Sequence, residues 1–117
     1  MVSKREIVGR MHYEAVKRIC ELTEQIPDDV WRQYFKVTIM GDSLAFLKGL
    51  NASTKWSNED YLQRQGWKSF TILMLEEKLA KEEDQIRHLE YILKTGKYID
   101  GNTWDKIKDT VQVNASL

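Results

Sequence analysis

The chain has 117 residues, 42% hydrophobic and 31% charged, a balance that fits one soluble globular domain and argues against disorder throughout. Lysine plus arginine and aspartate plus glutamate number 18 each, so no net field draws the protein to nucleic acid or an anionic membrane. One proline and six glycines argue against a strand-and-turn-rich fold, and the longest apolar run, Ile72 to Leu75, is far too short to span a bilayer.

The first predicted helix runs from about residue 4 to 26. Ser3 and Glu6 form a capping-box pair, and Val8, Met11, Ala15, Ile19, Leu22 and Ile26 recur at steps of three and four, which gathers them on one face. Pro27 ends this helix, because it disfavours helical geometry in the residue before it. A second helix starts at Asp28 or Asp29, where a carboxylate suits the positive helix end. Val30, Tyr34, Val37, Met40, Leu44 and Leu47 carry the spacing across Gly41 to about Leu50. Trp31, Phe35, Ile39 and Phe46 make a second apolar strip on the same helix, so one of the two strips needs a further neighbour.

Residues 51 to 57 read as a polar loop, followed by a helix with no proline from Asn58 to about Lys94. Its apolar residues Ile72, Leu75, Leu79, Ile86, Leu89 and Leu93 follow a seven-residue repeat in which Glu82 occupies the one missing seam position. Gly66 lies within this span, and residues 60 to 75 resemble a helix-turn-helix in spacing. The positions that would face bases include Phe70, Leu73 and Met74, and an acidic run follows, so a scaffold is expected over a DNA reader. The half beyond Leu79 is expected to project from the bundle with its stripe against a partner helix. Gly96 marks the stop, a turn falls at Asp100-Gly101, and Thr103 caps a short helix carrying Trp104, Ile107 and Val111. The expected architecture is all-α, one domain over residues 1 to 117: a helical bundle of three long helices plus a short C-terminal helix, with the last five residues or so frayed.

Chemistry-bearing patterns are sparse. His88 lies one helical turn from Asp84, but a di-iron bundle needs Glu three residues before each His, and Gln85 and Gly9 stand there. The Arg5–His12 spacing matches that of some helical ribonucleases by chance alone. No phosphate loop, nucleophile elbow or paired cysteines occur, so no catalytic residue, metal ligand or cofactor is expected. The lone Cys20 falls among apolar helical positions and reads as a buried structural thiol in a reducing, cytoplasmic setting.

The expected function is therefore a non-catalytic helical interaction module that self-associates or docks on another protein, with no membrane role. Leu79, Ile86, Leu89 and Leu93, with Trp31 and Phe35 of the second helix, are its expected contact residues. The alternative is nucleic-acid binding through a basic-aromatic patch of Lys55, Trp56, Arg64, Trp67 and Lys68.

Overall fold

The structure, a computed structural model, describes residues 4–55 and 72–111. The described residues are helical with no strand: α1 (Lys4–Glu24), α2 (Asp29–Phe35), a π-helical segment (Lys36–Met40), α3 (Gly41–Lys55), α4 (Ile72–Thr95) and α5 (Gly101–Ile107). The backbone stays right-handed helical through Lys36 and Gly41, so α2, the π segment and α3 form one unbroken rod. Three long helices and a short fourth result, in agreement with the all-α expectation.

Local chemistry sets the ends. The Asp28 carboxylate accepts from the Trp31 amide at 2.9 Å and starts α2. Asp100, rather than Thr103, caps α5 by accepting from the Thr103 amide at 2.8 Å. Gly96 ends α4 in the left-handed region, at φ 72°, donating its N–H to the Ile92 carbonyl at 2.8 Å. The rod continues to Lys55, past the expected loop start at residue 51, because nothing after Leu47 breaks the backbone.

Ion pairs fix the directions. Lys4 reaches Glu76 at 3.4 Å and Arg18 reaches Glu90 at 3.7 Å, so α1 and α4 run parallel along their lengths. The rod runs antiparallel to both, since Lys36 meets Glu24 at 3.0 Å and Lys78 meets Asp42 at 2.5 Å. Helix α4 thus lies along α1 and does not project from the bundle.

Among the described residues the core falls into two apolar clusters. The larger joins Ile19, Leu22, Phe35, Ile39, Leu89 and Ile92, near the junction of α1 and α2. The smaller holds Val8 and Leu75, with Phe46 packed against them, at the opposite end. Fully buried His12, Ser43 and Glu82 belong to the stretches between them on α1, α3 and α4.

Candidate functional site

His12 is the centre of the buried polar layer. Its Nδ1 meets Glu82 Oε1 across the α1–α4 interface, and its Nε2–H donates to the Leu75 carbonyl at 2.7 Å. All of the His12 and Glu82 side-chain surface is buried. Because a carbonyl can only accept, Nε2 must carry a proton. The remaining contact needs one more, either on Nδ1 facing a carboxylate or on Glu82 facing a bare Nδ1. Both arrangements hold the same number of protons.

The other walls are set by α3. The Phe46 ring lies 5.2 Å from the imidazole, and the Lys78 ammonium sits 5.4 Å above that ring while pairing with Asp42. Glu82 Oε2 and Ser43 Oγ are buried without a protein hydrogen-bond partner. Burial alone would push His12 down. The Glu82 hydrogen bond, the Leu75 carbonyl and the Glu82 charge outweigh burial and the opposing Lys78, holding the imidazole above its ordinary 6.5. A histidine, an acid and a serine in one layer resemble a nucleophile triad only superficially. The nitrogen that would take a serine proton is held by Leu75, and the group is closed to substrate.

His88 is in the opposite state. It lies stacked on Trp104, centroids 5.3 Å apart and planes 3° from parallel, with Phe35 edge-on at 5.4 Å. Its Nε2–H donates to the Ile99 carbonyl at 2.9 Å. Burial dominates, and despite that carbonyl and the nearby Asp84 charge the imidazole is held below 6.5. Asp84, the residue expected beside it, instead accepts from Trp104 Nε1 at 3.2 Å and from Lys108 at 3.4 Å. The pair therefore shares no ligand, and among the described residues no group of three or more His, Cys, Asp or Glu could hold a metal ion. A cleft of about 730 Å³ opens beside them, between Thr38 and Ile39 of the π segment, Lys81 and Gln85 of α4, and Trp104 of α5.

The π segment also decides which strip of the rod is core. Trp31, Phe35, Ile39 and Ser43 follow one another at steps of four, wider than the ~3.6 residues of an α-turn. The wider turn lets Phe35, Ile39 and Ser43 all stay buried. Gly41 donates to the Lys36 carbonyl across that turn, and a Cβ there would come within 3.1 Å of the same oxygen. Most of the strip with regular three-four spacing is left outside, Val30 being 77% exposed, Val37 76%, Leu44 43% and Tyr34 40%, while Met40 packs partly buried against the larger cluster.

The expected contact residues pack within the chain. Leu79, Leu89 and Phe35 are buried inside the chain, and Ile86, Leu93 and Trp31 pack partly buried against the larger cluster. The stripe of α4 meets α1 and the rod, so it offers no free seam. Of the alternative patch, Trp56, Arg64, Trp67 and Lys68 lie outside the described residues, as do the Lys55 side chain, Ser3, Gly66 and the tail beyond Val111. No protein-family model, curated protein or solved structure matches the chain. No described helix is long and apolar enough to cross a membrane.

Proposed function

We propose that the chain is a non-catalytic interaction module that self-associates through the outer face of its α2–π–α3 rod. The carrying observation is the row of Val30, Val37 and Leu44, with Tyr34 beside it, exposed on a rod whose opposite strip fills the core. A folded chain gains nothing from three aliphatic side chains at seven-residue intervals in water, whereas a second helix laid against them removes that surface from solvent. Val30 and Leu44 stand seven residues to either side of Val37, so an antiparallel two-fold through Val37 sets Val30 of one copy against Leu44 of the other. Exposed Asp29 at one end of the rod and exposed Lys48 towards the other favour the antiparallel arrangement of two copies.

The chemistry of the histidines fits this reading, since both are engaged by internal acceptors. Cys20, half-buried and free, is raised by burial and by Glu24 and Glu21, in keeping with a thiol of low reactivity. Light scattering on a sizing column tests the proposal. Val37→Asp should reduce the mass to that of one chain while leaving it as helical as before, because the side chain it replaces is outside the core of the single chain. An unchanged oligomer in that variant places the contact elsewhere.

A further inference from the structure

We infer that the His12–Glu82 pair is a proton-held latch: losing its shared proton as pH rises frees the Val8–Leu75 end of the bundle while the His88 end stays closed. Two acceptors, Glu82 Oε1 and the Leu75 carbonyl, flank the two ring nitrogens of one imidazole. With both protons present each contact is a hydrogen bond. With one removed, one nitrogen lone pair must face an oxygen lone pair in a site closed to water, and an unsatisfied buried polar contact of this kind is costly.

Among the described residues the surroundings provide no substitute donor. From α4 the charged neighbours are Glu82 itself and Lys78, and the Lys78 ammonium is engaged by Asp42 of α3 and by the Phe46 ring. The remaining group in the layer, the Ser43 hydroxyl, is buried and makes no protein hydrogen bond. Lys78 disfavours the protonated imidazole and Glu82 favours it. The latch therefore responds to one ionisation, which belongs to the pair and not to either residue alone.

Position decides which end opens. The pair bonds the carbonyl of Leu75, which with Val8 forms the smaller cluster, and neither residue of the pair belongs to the larger one. The small end is therefore the one released when the pair fails. Its release would add Val8 and Leu75 to the already exposed Ile7, Met11 and Leu73. The inference stands on the internal geometry and is independent of whether the outer rod face self-associates.

Native-state hydrogen exchange of the full chain tests it, each amide rate being divided by its intrinsic base-catalysed rate. Above the titration of the pair, protection in the small-end turns of α1 and α4 should fall about tenfold per pH unit, the slope of one linked proton. Amides around Leu89 and Ile92 should keep their protection. The variant His12→Met with Glu82→Met removes the proton, and its small end should show no such slope. Protection that falls equally at both ends, stays constant with pH, or keeps its slope in the double variant overturns the latch.

Discussion

His12 and His88 are the same side chain held in opposite protonation preferences by their neighbours. A carboxylate and a carbonyl face the two nitrogens of His12, while aromatic rings and one carbonyl surround His88. Imidazole resonances followed by NMR titration should show one histidine protonating above 6.5 and the other below it, and Glu82→Gln should move only the first. Two histidines titrating together near the ordinary value would contradict both environments. Cys20 gives a second residue-scale prediction: with its thiol raised, it should react more slowly with an alkylating reagent at pH 7 than a free cysteine peptide. A rate equal to that of the peptide would refute this. The sequence places Glu82 at the vacant seam position of a heptad, which is a legible signal that something polar meets that seam. What it does not reveal is the partner. His12 lies 70 residues away on another helix, and only the parallel pairing of α1 and α4 brings the two together.

At the scale of elements, three helix ends were legible because they rest on local chemistry: Pro27, Asp28 and Gly96 act within one turn of themselves. The face of the rod was not. Its two apolar strips differ by one residue in register, and the strip with regular three-four spacing lost to the one carrying Trp31 and Phe35. Burying the aromatic area outweighs a perfect α-helical period, and the π segment accommodates the difference. Two glycine substitutions test this. Gly9→Ala, where a Cβ would meet nothing within 4 Å, should stabilise the protein by roughly 0.5–1 kcal/mol in urea unfolding. Gly41→Ala should bring no such gain, because its Cβ meets the Lys36 carbonyl at 3.1 Å. Equal gains at the two positions would mean that the rod has no π turn. Leu89→Ala, which empties a fully buried position, should cost about 2–5 kcal/mol, whereas Val37→Ala, compared at dilutions where the chain is monomeric, should stay within about 0.5 kcal/mol.

For the whole molecule, the two histidines give the bundle ends opposite pH responses. His12 is raised in the fold, so its contribution is complete below 6.5 and is lost as pH rises through its folded value. His88 is lowered, so its contribution is complete above 6.5 and is lost as pH falls towards its folded value. Over the neutral range, urea-unfolding stability should therefore fall on both sides of a maximum near 6.5, and His12→Met with Glu82→Met should remove the alkaline limb. A profile with no alkaline limb in the unaltered chain would contradict the His12 environment. The bundle architecture was readable from apolar spacing and the scarcity of breakers. The location of its free surface was not, because amphipathic spacing identifies two apolar strips without saying which one the chain's own helices will cover.

The central claim is that the free surface is the outer face of the rod and not the stripe of α4. The most direct test is the solution mass by light scattering over a tenfold concentration range, for the unaltered chain and for Val37→Asp. The first should show twice the 13.8 kDa chain mass and the second 13.8 kDa, with unchanged helical content. A mass of 13.8 kDa for the unaltered chain across the whole range would contradict it.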